Sequence, residues 1–258
     1  MKHRILALIL ALACAALPLA GCAAAPSSAD SSAPAEPASV TFTDAMDRTV
    51  TVTGTPQRAA ALIGSFADVW CLAGGADTLA AAADDTWTQF SLDLPDTVVN
   101  LGGTTEPNLE ALLSVKPDFV LGSTKTAADV ELLPTLEAAG IPVAYFDVSS
   151  FEDYLSMLEI CTRLTGRADL HEENGTAVQQ QIDDARALAQ GKEGPSVLYL
   201  RASGSSCKVK NSENTVLGEM LADLGCTNIA DSETSLLENL SMEVILKADP
   251  DCIFIVLQ

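Results

Sequence analysis

From Val40 the chain opens with two alternating pieces, Val40-Thr-Phe-Thr-Asp44 and Arg48-Thr-Val-Thr-Val52, around a polar turn at Ala45 to Asp47. A period of two with β-prone residues predicts a hairpin. The pattern then changes. An apolar run from Arg58 to Ile63 ends at Gly64-Ser65 and is followed by a helical stretch, Ala67 to Leu72, stopped by Gly74-Gly75. The same order recurs with a strand over Asp118 to Leu121 ending at Gly122-Ser123, a helix over Ala127 to Ala139 closed by Gly140, and a buried strand over Val143 to Phe146. Phe151, Leu155, Leu158 and Cys161 fall at helical spacing and predict a long helix over Phe151 to Thr165, capped by Ser149 or Ser150 and ended by Gly166. A further helix is expected over Glu172 to Gln190, a strand over Ser196 to Leu200, and a helix over Val216 to Leu224 with Gly225 as its stop. Short apolar strands alternating with amphipathic helices predict an α/β protein with mainly parallel sheets.

One pattern is used twice. Asn108-Leu-Glu110-Ala-Leu-Leu-Ser-Val-Lys-Pro117-Asp118 is echoed by Ser241-Met-Glu243-Val-Ile-Leu-Lys-Ala-Asp-Pro250-Asp251, and each leads into an apolar strand. In both, a capping side chain starts a short helix, a glutamate sits in its first turn, and a proline drives the chain out of helix. Helix-turn-strand units of this kind recur in any α/β protein, and a first-turn glutamate is favoured by the helix dipole alone. The pair together implies two related lobes.

Charge and composition narrow the function. Fourteen Lys and Arg stand against 35 Asp and Glu, a formal charge of −21, which repels phosphate backbones and rules against nucleic-acid binding. Lys2 and Arg4 precede an Ala/Leu/Ile run that is broken by Pro18 and falls short of the about 20 apolar residues of a membrane span. Residues 1–22 therefore read as a secretory signal. Leu19-Ala20-Gly21-Cys22 resembles a bacterial lipobox, so Cys22 is expected to carry lipid and anchor the chain to a membrane. Residues 23–39 hold Ala, Pro, Ser, Asp and Glu with nothing large and apolar, the composition of a flexible tether. Beyond Cys14 and Cys22 the remaining cysteines are Cys71, Cys161, Cys207, Cys226 and Cys252, without ligand spacing. Cys71, Cys161 and Cys252 are expected as small buried hydrophobes. A bond between Cys207 and Cys226 stays open.

The opening Phe42-Thr-Asp44-Ala-Met-Asp-Arg48-Thr-Val, the phrase Pro107-Asn-Leu-Glu110 with Lys116-Pro-Asp118, the run Phe146-Asp-Val-Ser-Ser-Phe-Glu-Asp-Tyr and Ser241-Met-Glu243 occur in an order that, with the lipobox, resembles the substrate-binding lipoproteins of ABC importers for ferric siderophores, haem and cobalamin. The resemblance covers residues 40–258. It implies an N-terminal lobe over 40–149, a bridging helix over 150–166 and a C-terminal lobe over 167–258, with ligand held between the lobes. A helical bridge is stiff, so lobe closure should be small. It further implies that Glu110 and Glu243 dock arginines on the two subunits of a permease served by an ATPase. A monomer with no resident cofactor is expected, the metal chelate being cargo. One departure stands out: the chain stops at Ile253-Phe-Ile-Val-Leu-Gln258, where relatives continue, so a truncated C-terminal lobe with exposed core surface is expected.

Ligands of open α/β sheets gather at the carboxyl ends of strands. That rule selects Ser65 and Phe66, Thr124 and Lys125, and Arg201 with Ser203. Trp87, in a polar loop with Thr88 and Gln89, is where the resemblance also puts ligand contact; partial burial under a loop is the competing reading. Arg201 and Lys125 suit anionic oxygens, although an ion pair on so acidic a surface accounts for Arg201 equally well. Trp70 belongs to a helical pattern and is expected in the core. No GxGxxG, Walker, GxSxG or HExxH motif is present, and His171, the one histidine outside the signal segment, reads as a solvated helix cap. Asp84-Asp85 and Asp183-Asp184 read as solvated faces. An enzyme is thus the least supported class, and a metal-ion receptor or sensor lipoprotein on the same scaffold is the nearer alternative.

Overall fold

The computed structural model describes residues 38–257 apart from Ser91 and Asn214. The signal segment, Cys22 and the tether up to residue 37 lie outside the described residues. The hairpin forms as the alternation predicts: β1 (Ser39–Thr43) pairs antiparallel with β2 (Thr49–Thr53). Asp44 fixes its turn. One carboxylate oxygen accepts from the Met46 and Arg48 amides, the other from the Arg48 guanidinium at 2.6 Å and the Tyr145 amide at 3.2 Å. Arg48 also donates to the Val143 carbonyl and lies 5.2 Å from the centre of the Tyr145 ring. The Asp44 to Arg48 phrase therefore pins the hairpin to the first lobe.

That lobe is a five-stranded parallel sheet, order β5-β4-β3-β6-β7, built from β3 (Ala59–Ala61), β4 (Leu79–Ala82), β5 (Val99–Asn100), β6 (Phe119–Ser123) and β7 (Val143–Phe146). Side chains alternate across it. Phe119 and Leu121 face α1 (Gly64–Leu72), while Val120 and Tyr145 share the opposite face with Leu112 and Leu136. A 3₁₀ turn (Ala76–Thr78) follows α1, and α2 (Asp85–Thr88) follows β4. Trp70 is fully buried and donates to Thr78 Oγ1, in agreement with a core role. The opposite face is covered by α3 (Leu109–Ser114) and α5 (Leu133–Ala138). The predicted helix over Ala127 to Ala139 is two pieces, α4 (Ala127–Glu131) and α5, parted at Leu132. Pro134 supplies the reason, since it lacks an amide and prefers a first turn.

Helix α6 (Phe151–Thr165) has the predicted limits. Ser150 and Asp153 form a capping box, and Gly166 closes the helix at φ 74. Burial alone would raise the Asp153 pKa, but hydrogen bonds from Ser149 and Ser150 outweigh it and hold the carboxyl below its ordinary value. Met157, Leu158, Cys161 and Leu164 all enter the first lobe's core, so α6 is fastened along its length to that lobe. The helix predicted from Glu172 begins earlier. α7 (Ala168–His171) runs through a π-helical turn (Glu172–Thr176) into α8 (Ala177–Ala189), which corrects the reading of His171 as a cap: it lies within a continuous helical stretch. The π turn leaves the Asn174 carbonyl to accept from the Tyr154 hydroxyl, and the Asn174 side chain donates to the Leu72 carbonyl.

In the second lobe β8 (Ser196–Ala202) is central. The antiparallel β9 (Cys207–Lys210) and parallel β10 (Thr227–Asn228) share one edge, and parallel β11 (Cys252–Leu257) lies along the other. α9 (Val216–Asp223), α10 (Ile229–Ser232), α11 (Ser235–Glu238) and α12 (Met242–Ala248) complete the chain. Leu198, Leu200, Val209, Ile229, Leu236 and Ile245 make its core.

The echoed segments fold alike. Asn108 and Ser241 accept from the amides of Ala111 and Val244 and cap α3 and α12. Lys116 and Asp249, each preceding proline, make the exit turn in the left-handed region at φ 48 and φ 47. The aspartates beyond the prolines tie neighbouring strands: Asp118 accepts from the Gln57 and Arg58 amides ahead of β3, and Asp251 from the amide and hydroxyl of Ser196 at the start of β8. These donated bonds also hold the Asp251 carboxyl below its ordinary pKa.

One expectation needs correcting, and one open question is answered. Cys252 is exposed, as are Ile253, Ile255 and Leu257, because no described layer covers β11. Cys207 and Cys226 are both free thiols. Cys161 is buried as expected, which pushes its thiol pKa up, and Cys71 is half-buried with its pKa raised by burial and by Asp68 to about 11.

Candidate ligand cleft

Strand order in the first sheet reverses between β3 and β6, the place where an open α/β sheet leaves a crevice at its carboxyl edge. A cavity of about 450 Å³ lies there. Ile63, Ser65 and Phe66 reach it from the end of β3, Ser123, Lys125 and Thr126 from the end of β6, and Asp68 and Val69 from α1. Val148 beyond β7, Tyr154 of α6 and Val216 of the second lobe close it.

Each wall has a local cause. Gly64 starts α1 and donates to Asp85 Oδ1 at 2.9 Å, so Asp85 is a structural anchor and not a solvated face; Asp84 is exposed, as a solvated face would be, and accepts from the Asn100 side chain. A Cβ on Gly64 would sit 2.7 Å from the Thr86 amide nitrogen. Gly64→Ala is therefore expected to displace α1, lower stability by about 1–3 kcal/mol in urea unfolding, and weaken ligand binding through Ser65 and Phe66. Wild-type stability in the variant would show that α1 and α2 can separate at no cost.

At the β6 end, Asp129 of α4 is fully buried and accepts from the Ser123 amide at 2.9 Å, which sets the course of the loop carrying Thr124 and Lys125. Burial pushes the Asp129 pKa up to about 7, the Ser123 bond opposes this, and the neighbouring Asp85 adds to it. The other Asp129 carboxylate oxygen has no hydrogen-bond partner among the described residues. Tyr145 donates to the Asp129 carbonyl at 2.7 Å, and burial with the Asp129 charge raises the phenol to about 12.

Of the residues selected from sequence, the structure brings Ser65, Phe66 and Lys125 into the cavity lining. Ser65 is exposed. Phe66 is 4% exposed and packs edge-on against Phe146, so it belongs to the core as much as to the cleft. Lys125 is paired with Asp147 at 3.1 Å. Thr124 ties the ends of β6 and β7 through the Phe146 carbonyl and does not line the cavity. Neither does Trp87, 40% exposed on α2, nor Arg201, half-buried on β8 between β9 and β11, nor Ser203, whose hydroxyl is engaged with Ser206. The aromatic that sequence reasoning missed is Tyr154, which stacks on Phe151 at 5.3 Å and has its pKa raised by burial and by Asp68. Its spacing three residues from Phe151 was the available signal. Glu110 and Glu243 are exposed in the first turns of α3 and α12, and neither takes part in a hydrogen bond or ion pair among the described residues. Among those residues no group of three His, Cys, Asp or Glu side chains is placed to hold a metal ion.

The sequence profile described as "Periplasmic binding protein" matches residues 60–258, most of the chain and all of the cleft. The chain belongs to this family. As a periplasmic binding protein it is 24% identical over 262 residues to the Fe(3+)-citrate-binding protein YfmC of Bacillus subtilis (strain 168), covering 98% of this chain and 80% of that one. It is 28% identical over 226 residues to the cobalamin-binding protein of Halobacterium salinarum, covering 83% of this chain and 58% of that one, so it spans little more than half of that relative's length. Its fold matches that of the siderophore-binding protein BauB, solved with two acinetobactin molecules and ferric iron, at a TM-score of 0.69 with 18% identity, over 86% of this chain and 77% of the other. The expected α/β class with parallel sheets in two lobes agrees with this likeness. No helix among the described residues is long and apolar enough to cross a membrane.

Proposed function

We propose that this periplasmic binding protein works outside the cytoplasm, captures a metal chelate or corrinoid between its lobes, and delivers it to an ABC permease with its ATPase. The observation that carries the reading is the cavity at the β3–β6 switch point, walled on its other sides by α6 and the start of α9. Its polar groups are one carboxyl, one phenol, one ammonium and the hydroxyls of Ser65, Ser123 and Thr126. Such a lining suits a ligand whose metal is already coordinated: hydroxyls and Lys125 meet the chelate's oxygens, and Tyr154 lies against its apolar face. Lys125 can exchange Asp147 for a ligand anion at small cost, since an exposed pair is worth about 0–1 kcal/mol. Ser65, Phe66 and Lys125 are assigned to ligand contact and Thr124 to bracing the loop; Trp87, Arg201 and Ser203 stand as candidates for a ligand that reaches past the cavity. Cys22 is assigned to lipid anchorage and residues 23–38 to the tether, since Ser39 opens β1.

Titration of the protein with ferric citrate, a ferric hydroxamate, haem and cyanocobalamin, followed by intrinsic fluorescence, tests the reading. Saturable binding of one of them, weakened by Lys125→Ala if that ligand is anionic, is the expected result. Binding of bare Fe³⁺ or Zn²⁺ in preference to every chelate would replace it with a metal-ion receptor.

A further inference from the structure

Beyond Tyr154 lies a second cavity of about 440 Å³, between the first turn of α6 and the lengths of α8 and α9. Val148, Tyr154 and Val216 line both cavities, so the two are adjacent and share these three residues. Their chemistry differs. The first presents Ser65, Asp68 and Lys125, whereas the second is walled by Phe151, Val178, Ile182, Met220 and Leu224. Val216, Met220 and Leu224 are 47%, 51% and 39% exposed, apolar surface that a ligand entering from the cleft would remove from water. Arg186 is held by Asp183 and Asp223 through its terminal nitrogens, while its buried Nε has no acceptor among the described residues. Glu152 and Glu219 on the same lining disfavour a second anion.

We propose that the ligand has two parts: a polar metal chelate seated in the cleft and an uncharged acyl arm lying in the cavity between α6, α8 and α9. This inference rests on the chelate-binding reading and names its substrate class as amphiphilic. The chain meets the requirements of such a ligand in order: hydroxyls and an ammonium for the chelate, Tyr154 at the junction, and aliphatic walls for the hydrocarbon. A free fatty acid is disfavoured, because its carboxylate would face Glu152 and Glu219.

The test compares one ferric hydroxamate with and without a medium-length acyl chain, by calorimetry on the full chain. Each buried methylene contributes roughly fourfold in affinity, so the acylated chelate should bind at least about tenfold tighter. Ala185→Phe, a substitution at an exposed position that fills the second cavity, should bring the two affinities within about twofold and leave that of the deacylated chelate unchanged. Ile182→Ser, which makes the same wall polar, should do likewise and guards against a local effect of the larger side chain. Equal affinities in the wild type, with the deacylated chelate bound, would overturn the acyl site and leave the chelate reading standing. Failure of both chelates, with binding of the metal-free acyl hydroxamate abolished by Ala185→Phe, would overturn the chelate reading and with it the two-part ligand. A protein dimer that Ala185→Phe dissociates, with chelate affinities unmoved, would assign the groove to a second copy and overturn the proposal.

Discussion

Glu110→Arg combined with Glu243→Arg is expected to abolish ligand-stimulated ATP hydrolysis and uptake by the reconstituted transporter while leaving ligand affinity unchanged. The two carboxylates are exposed, lie in equivalent first turns, and make no internal ion pair, so nothing within the described fold depends on them. Reversal removes a favourable interaction with each helix dipole, worth about 0.3–1 kcal/mol, which the fold can absorb. Across an interface the same change turns attraction into repulsion at both contacts, and like charges brought together cost several kcal/mol. Each single reversal should slow association and flatten its response to salt, and the pair should eliminate productive docking. Unaltered stimulation by the double variant would show that α3 and α12 carry glutamates for their dipoles alone.

The second large effect belongs to Asp129. Its pKa in the folded protein is raised from the ordinary 3.8 to about 7, chiefly because the carboxyl is buried. A raised pKa means that the native state binds the proton more tightly than the unfolded chain. The stability it confers is complete below about pH 4, declines as pH rises toward 7, and is gone above that. Asp129→Asn keeps an acceptor for the Ser123 amide and cannot ionise, so it should stabilise the protein at pH 8 by roughly 2–4 kcal/mol and by little at pH 4. Urea midpoints at the two pH values measure the difference. A variant with the same pH dependence as the wild type would mean that Asp129 is relieved by a partner in solution.

Much of this architecture was written in local signals. The limits of α6 follow from Ser150, Asp153 and Gly166, three residues whose capping chemistry is independent of the rest of the fold. The echo around Glu110 and Glu243 was equally legible, but not the purpose of its aspartates, because their partners at Gln57, Arg58 and Ser196 are distant in sequence. β4 escaped notice since Leu79-Ala-Ala-Ala82 has no β-branched residue; it is a strand because its small side chains fit between the layers on both faces of a parallel sheet. The cleft was half legible for the same reason. Strand ends gave Ser65 and Lys125, whereas Tyr154 looked like one more position on a helix face until the π turn brought the Asn174 carbonyl to its hydroxyl. Cys252 was misjudged because an apolar pattern states what a strand would bury and not whether a covering layer is present.

The mooring of α6 to the first lobe determines how solvent deuterium should enter the chain. Amides over Met157 to Leu164 open only when the sheet beneath them does, and those of α8, which buries none of its side chains, open by local fraying. Continuous as the helical path from Ala168 to Ala189 is, the two ends of the connection between the lobes should therefore exchange on widely separated timescales, the slow one reporting the global stability of the first lobe.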